Sequence, residues 1–202
     1  MRGHICILVL AVGVCATRAE AHAFQSGADY YAQFLEGASV ILRYPEALLP
    51  LLSLGVLLSL WHSEGMLRAW PAFLIGQLAG IPLAAVVGPW AISAVLIAGI
   101  LTATLAALLP RHIRVEALAI SLGLGLLVTA ASLEGHGFLE LPVFIYVGIV
   151  FAANLVTACA AGVTGFAMDQ VEANWMRILW RIAGSWLAAI LTLIFAFTLT
   201  AN

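Results

Sequence analysis

The sequence contains no lysine: its eight basic residues are all arginine, and charged residues make up only 9% of the chain. With a formal net charge of −2, the chain offers no basic surface for nucleic acid. Cysteine is also scarce, since Cys6 and Cys15 lie near the N-terminus and Cys159 stands alone, so no disulfide framework is implied. No nucleotide-binding motif and no nucleophile–base pair is visible, which argues against an ATP-driven pump and against an enzyme.

Apolar residues are abundant and make up 64% of the 202 residues. A helix needs roughly 20 mainly apolar residues to cross a bilayer, and six such segments follow a shorter N-terminal one. The sequence therefore predicts an all-α membrane protein with six transmembrane helices and no soluble domain. The predicted spans are 39–61, 70–87, 90–109, 115–131, 142–163 and 177–198.

The first 21 residues have the features of a secretory signal peptide. Arg2 precedes an apolar run over 5–16, and Ala19-Glu20-Ala21 fits a cleavage site between small residues. Cleavage there gives a mature domain of residues 22–202 that holds all six spans. Two alternatives stay open, namely cleavage after Ala23 and an uncleaved anchor.

Cleavage after Ala21 would make His22 the first residue of the mature chain. A free amine and an imidazole on one residue can chelate a divalent metal, which makes His22 a candidate ligand. The alternative is a disordered terminus with no role. Residues 24–37 mix aromatic and acidic side chains and predict a short amphipathic helix in the headgroup region.

Near its start, the first predicted span carries Arg43, Pro45, Glu46 and Pro50. Neither proline can donate a backbone hydrogen bond, so we expect this helix to be kinked or broken here. Arg43 and Glu46 are spaced to pair on one helix face. A carboxylate in a broken helix faces a cavity or the bundle interior, which makes Glu46 a candidate ligand, unless both charges simply lie at the interface.

The segment 133–142, between the fourth and fifth predicted spans, places His136 between Glu134 and Glu140. Carboxylates and neutral imidazoles coordinate divalent transition metals, and the glycines on either side of His136 let the backbone fold closely around a ligand. This predicts a metal entry or binding site. The alternative is an ordinary polar turn between two membrane helices.

The fifth predicted span contains Asn154 and Cys159. A lone amide in hydrocarbon requires an interhelical partner or a ligand, and a thiolate is a soft metal ligand. Both residues are therefore candidate metal ligands within the bundle. For Asn154, hydrogen bonding between helices is the alternative.

Arginines in alternate loops indicate the orientation of the chain. Arg68, Arg111, Arg114 and Arg177 fall on one side, and the positive-inside rule places that side in the cytoplasm. A signal peptide independently places the mature N-terminus outside, and six spans return the C-terminus there. The sequence thus predicts a bacterial inner-membrane protein with both mature termini in the periplasm.

These features together resemble the HupE/UreJ family of small bacterial membrane proteins, which are regarded as nickel and sometimes cobalt permeases. In the first mature helix, where family members carry His-Pro and then Asp-His, this chain has Val40-Ile41 and then Glu46-Ala47, and Cys159 stands near a further family histidine. The residues that carry the resemblance are His22, Gly135-His136-Gly137, Glu140-Leu141-Pro142, Ala160-Ala161-Gly162 with Gly165, and Arg181-Ile182-Ala183-Gly184.

The resemblance implies a secondary permease for a divalent transition metal, with nickel or cobalt as substrate and no tightly bound cofactor. Its expected partners are membrane lipid and either a second copy of the chain or a membrane complex. The alternative is a non-transporting accessory or structural subunit of such a complex. The expected metal-site residues are His136, Glu140, Glu134, Glu46, His22, Asn154 and Cys159.

Overall fold

A computed structural model describes residues 29–108, 114–171 and 174–201, and the secondary structure of these residues is entirely helical. The predicted signal peptide, residues 1–21, and the candidate ligand His22 lie outside the described residues. The helices in this part of the chain are α1 (Tyr30–Arg43), α2 (Pro45–Trp61), α3 (Gly65–Leu83), α4 (Trp90–Leu108), α5 (Arg114–Ser132), α6 (Val143–Gln170) and α7 (Asn174–Ala201).

Among the described residues, α4, α5, α6 and α7 are long and apolar enough to cross a bilayer, and the bent pair α1–α2 is a fifth candidate. The chain is therefore an all-α membrane protein. The number of spans differs from the expected six, because α3 does not qualify by length and composition. Arg68 and Gln77 lower the mean hydropathy of α3, and two prolines lie inside it.

The predicted break near Pro45 is present. Tyr44 is extended, with φ −103° and ψ 113°, and it separates α1 from α2. Proline disfavours a helical conformation in the residue before it but suits the first turn of a helix, so α2 begins at Pro45. The two helix axes meet at 76°. Pro50, by contrast, lies inside α2, and the helix continues past it.

The predicted pairing of Arg43 with Glu46 does not form, because the break places the two residues on different helices. Within the described ranges, the ion pair found is Arg68 with Glu64, at 3.3 Å on the exposed surface. The helix predicted over 24–37 also differs from the structure. It belongs to α1, which starts where Asp29 accepts a hydrogen bond from the Ala32 amide and ends at Arg43.

The two closest lengthwise helix pairs are α3 with α5 and α2 with α6, and both depend on glycine. A Cβ atom added at Gly125 would lie 2.5 Å from the Phe73 carbonyl oxygen, and one at Gly55 would lie 2.5 Å from the Thr157 carbonyl oxygen. Real side chains do not tolerate such distances to backbone atoms. Glycine therefore permits the backbone approach that stabilises helix pairs in lipid.

The remaining helices pack around these two pairs. The short α1 crosses α6, where Gly37 lies on Ile145 and Gly148 on Phe34. Helix α4 packs against both α2 and α7, and the Nε atom of Arg181 on α7 donates to the Ala107 carbonyl oxygen near the end of α4 at 2.7 Å. The largest fully buried side chains are Phe73, Ile41, Leu51, Leu54, Leu57, Leu58, Leu96, Leu124, Leu133, Ile145, Ile149 and Leu191.

The fifth predicted span, 142–163, is shorter than the helix that forms there. Helix α6 continues through Gly165 to Gln170 and has 28 residues, which removes most of the polar connection expected from 165 to 176. The extra turns pack on α2, because the Ser59 hydroxyl lies 3.2 Å from the position of a Cβ atom at Gly165. Tertiary packing thus overrides the weak helix propensity of glycine.

Two glycines on α5 allow a matched test of this packing. Gly125→Ala should force α3 and α5 apart and destabilise the protein by about 1–3 kcal/mol, as overpacking does in well-packed cores. Gly123→Ala should be neutral or stabilising by up to about 1 kcal/mol, since alanine is the better helix former and no atom lies within 4 Å of its added Cβ.

Thermal unfolding of both variants in detergent measures the difference. Equal effects of the two substitutions would contradict close packing between α3 and α5.

Candidate functional site

The 133–142 loop is shaped by two consecutive turns. In the first, the amide of His136 donates to the Leu133 carbonyl at 3.1 Å, and Gly135 adopts a φ of 82°, which glycine accommodates without strain. In the second, the amide of Glu140 donates to the Gly137 carbonyl at 3.2 Å. Leu139 between them has a φ of 57°. His136 and Glu140 thus lie on consecutive turns of one loop.

The carboxylate of Glu140 is held by its own loop. Its Oε2 atom accepts a hydrogen bond from the Gly137 amide at 2.5 Å, and the residue is exposed. This bond fixes the position of the carboxylate. A carboxylate has two oxygens with about four acceptor positions in total, so Glu140 keeps capacity to bind a cation from solution.

His136 is half-buried, and its Nδ1 atom lies 3.2 Å from the Glu134 carbonyl oxygen. When Nδ1 carries the proton, it donates to that carbonyl and Nε2 keeps its lone pair. A backbone carbonyl that orients a histidine through its second nitrogen is a usual support for a metal-ligating imidazole. The side chain of Glu134 itself is half-buried, and this burial raises the pKa of its carboxyl group above the ordinary value.

The seven predicted metal ligands do not form one site in the part of the chain that is described. No three histidine, cysteine or acidic side chains there are grouped closely enough to hold a metal ion. Glu134, His136 and Glu140 share the loop, whereas the other described candidates lie on the helices. A metal at the loop would therefore be bound by a few protein ligands together with water.

Glu46 lies in the first turn of α2, next to the break after α1. Its Oε2 atom is buried and has no hydrogen-bond partner among the described residues. Cys159 lies elsewhere, on an exposed face of α6, where it lines an apolar groove of about 690 Å³ between α2, α6 and α7. The other residues of this groove are apolar, so Cys159 has no second ligand there.

Asn154 connects α6 to α3 in what we call the amide cluster, formed by Trp70, Gln77 and Asn154. Its Oδ1 atom accepts from the indole Nε1 of Trp70 at 2.8 Å, and its Nδ2 atom donates to Gln77 Oε1 at 2.7 Å. Gln77 is fully buried, and its Nε2 atom has no hydrogen-bond partner in the described ranges. Asn154 therefore has the interhelical partners that a lone amide requires in lipid.

Sequence reasoning identified Asn154 but missed Gln77. The signal was available, because an uncharged amide inside an apolar helix is as unusual at Gln77 as at Asn154. What the sequence could not supply is that these two amides, which lie on helices far apart in the chain, meet each other. The cluster places three polar side chains between α3 and α6, inside an otherwise apolar bundle.

Comparisons with known proteins add no relative. No protein-family model matches the chain, and neither a curated protein nor a solved structure matches it. The resemblance to the HupE/UreJ permeases stays a prediction that rests on the residues given above.

Removing the amide of Asn154 should leave Trp70 Nε1 and Gln77 Oε1 unpaired in the bundle. We expect Asn154→Ala to destabilise the protein by about 1–3 kcal/mol, the cost of stranding buried polar groups. Thr192→Ala is the matched control, because Thr192 bonds only a carbonyl of its own exposed helix face. Thermal unfolding in detergent compares the two variants, and equal stabilities would contradict the bridging role of Asn154.

The raised pKa of Glu134 predicts a pH dependence of stability. The folded chain binds this proton more tightly than the unfolded chain, so the free energy of unfolding should fall as the pH rises from about 4.5 through the raised pKa. Glu134→Gln should remove this fall and stabilise the protein at neutral pH. Unfolding temperatures measured across that range test it, with the exposed Glu64→Gln as control. A fall of the same size in Glu134→Gln would show that another group causes it.

Proposed function

We propose that this chain is a secondary permease for a divalent transition metal ion, with nickel as the first ion to test. The observation that carries the proposal is the exposed Glu140 carboxylate, held by the Gly137 amide in the same loop as the His136 imidazole. These are two ligand types that nickel and cobalt accept. The resemblance to the HupE/UreJ permeases supports the same function.

The proposal includes six spans, of which α1–α2 is one and α3 another. Helix α3 has 19 residues and packs along α5, itself a candidate span, at successive turns through Gly76 and Gly80. A helix in that position lies at the same depth as its neighbour. With six spans, the arginine distribution places the 133–142 loop on the periplasmic face of the inner membrane, together with both mature termini.

On this proposal the ion first meets the loop. His136 and Glu140 capture it from the periplasm, with Glu134 nearby and with His22 as a further ligand if cleavage follows Ala21. Water completes the coordination, because the loop supplies few protein ligands. Such partial coordination suits transport, since an ion that is held too tightly does not leave.

Within the bundle, the ligands on offer are weak and separate. Glu46 has a buried carboxylate oxygen without a partner among the described residues, and Asn154 offers an amide oxygen that Trp70 already uses. Cys159 faces the groove between α6 and α7. These groups can serve an ion one after another but cannot hold it jointly.

A second candidate function is an accessory subunit of a membrane complex. The observation that favours it is the apolar groove between α2, α6 and α7, together with the exposure of most of α7. A partner helix could bury that surface. On this alternative the amide cluster serves packing alone, and the loop is a polar turn.

Nickel uptake into proteoliposomes separates the two functions. We expect uptake by the native chain, reduced on the order of tenfold or more in His136→Ala and in Glu140→Gln, since changes in the ligand environment of a metal cost this much. Glutamine keeps an oxygen that can accept from the Gly137 amide, so Glu140→Gln removes the charge while it preserves the loop hydrogen bond.

His62→Ala is the matched control, because His62 lies in the α2–α3 turn, away from the 133–142 loop, where its Nδ1 accepts from the Glu64 amide. This variant should transport as the native chain does. No uptake by the native chain would reject the permease. Native uptake that survives in both loop variants would remove the loop from the pathway.

A further inference from the structure

The last helices of the two halves of the chain begin alike. Helix α4 opens with Trp90 and reaches Ile97-Ala98-Gly99, and α7 has Trp175 and, at the same spacing, Ile182-Ala183-Gly184. The second set follows the first by 85 residues. The same shift relates Gly80 on α3 to Gly165 on α6.

Helices α2 and α5 also correspond. Glu46-Ala47-Leu48 opens α2 and is followed by Leu54-Gly55, while Glu116-Ala117-Leu118 opens α5 and is followed at the same spacing by Leu124-Gly125. Here the shift is 70 residues. It is smaller because the 133–142 loop and the first turns of α6 have no counterpart between α2 and α3.

The corresponding glycines make corresponding contacts. Gly55 of α2 lies on α6, at the carbonyl of Thr157 and the amide of Ala161. Gly125 of α5 lies on α3, at the carbonyl of Phe73 and the amide of Gln77. In each case the glycine packs on a carbonyl and on the amide one turn further along the partner helix. The α2–α6 packing is thus repeated by α5–α3.

A second set of contacts repeats in the same way, one turn further along. The Ser59 hydroxyl of α2 lies 3.2 Å from a Cβ atom built at Gly165 of α6, and the Thr129 Cβ of α5 lies 2.9 Å from one built at Gly80 of α3. Ser59 corresponds to Thr129 by the shift between α2 and α5. Gly80 corresponds to Gly165 by the shift between α3 and α6.

Helices α4 and α7 pack on each other as equivalent partners in an antiparallel pair. Gly99 faces Leu191, and Gly184 faces Ala106, which is the counterpart of Leu191. Moving along α4 from Gly99 to Ala106 therefore means moving backwards along α7. Because these equivalent helices run in opposite directions, the two halves of the chain are inverted relative to each other.

One contact breaks this symmetry. Pro50 of α2 packs on Gly99 of α4, at 2.7 Å from a Cβ atom built there. The counterparts of these two residues are Ile120 of α5 and Gly184 of α7. Yet α5 and α7 show no packing in the described residues comparable to that of α2 and α4, and the nearest atoms around Gly184 all belong to α4.

We propose that α2–α4 and α5–α7 are inverted repeats, and that the chain exchanges between this arrangement and a second in which α5 packs on α7 while α2 separates from α4. In inverted-repeat transporters, such an exchange opens the interface between the repeats to one side of the membrane and then to the other. The amide cluster joins α3 to its counterpart α6 and therefore lies at that interface. The inference deepens the proposed function, although the repeat itself does not depend on it.

Two cysteine pairs test the exchange. Pro50→Cys with Gly99→Cys should form a disulfide in the present arrangement, and Ile120→Cys with Gly184→Cys should form one only in the second. Both pairs are placed in a background in which Cys6, Cys15 and Cys159 are serine, and they are oxidised with molecular iodine in lipid nanodiscs without added metal.

Cyanogen bromide identifies each disulfide, because it cleaves after methionine. The first pair joins the fragment that ends at Met66 to the fragment that ends at Met168, and the second joins the latter to the fragment that follows Met176. Mass spectrometry without reduction should find both products. Ile120→Cys with Phe197→Cys is the control pair that should stay unlinked. A first pair that links while the second stays reduced would overturn the exchange.

Exposed positions provide a measurement that leaves the helix contacts intact. Spin labels at Pro45 with Trp90 and at Val115 with Trp175 occupy corresponding sites, and all four residues are exposed. We expect each pair to show a short and a long distance, with similar values for the two pairs. A single distance for each pair, short in the first and long in the second, would overturn the exchange.

These measurements do not require uptake, so they stay informative if the permease proposal fails. Exchange without nickel uptake would reject the metal while leaving the inverted repeats in place. Uptake without exchange would keep the permease and reject the alternating repeats.

Discussion

The structure depends on how closely two helix backbones can approach in lipid. Lipid tails are as apolar as leucine, so burying leucine between helices gains little, and contact must come from short backbone distances and interhelical hydrogen bonds. Gly55 and Gly125 provide those distances for the two main helix pairs. The other helices of the bundle pack around these two pairs.

The same constraint explains why the few polar groups meet. A buried amide without a partner is costly in hydrocarbon, and the close α3–α5 and α2–α6 pairs hold Gln77 and Asn154 where each amide can bond the other. The indole of Trp70 completes the arrangement. Glu46 is different, since its buried oxygen has no partner among the described residues. A buried acid of this kind in a membrane helix is a functional candidate rather than a packing device.

Long apolar segments predicted the helical class and most helix positions, and Pro45 predicted the break before α2, because these signals are local. The length of α6 was wrong, since its continuation past Gly165 depends on contact with Ser59 of another helix. The pairing of Arg43 with Glu46 was wrong because a short extended link separates their helices. The loop ligands were readable as residue types, whereas the hydrogen bond from Gly137 that orients Glu140 depends on turn geometry.

An inverted duplication by itself gives a protein two similar faces, because each helix of one half has an opposed counterpart in the other. A permease that takes up an ion from one side needs a difference between those faces. The 133–142 loop supplies one, since it is the insertion that distinguishes the α5–α6 connection from the short α2–α3 turn. Glu134, His136 and Glu140 all lie in this insertion. The residues best suited to capture a cation thus occupy the segment that the duplication does not explain, as expected if the loop was added to give the transport path a direction.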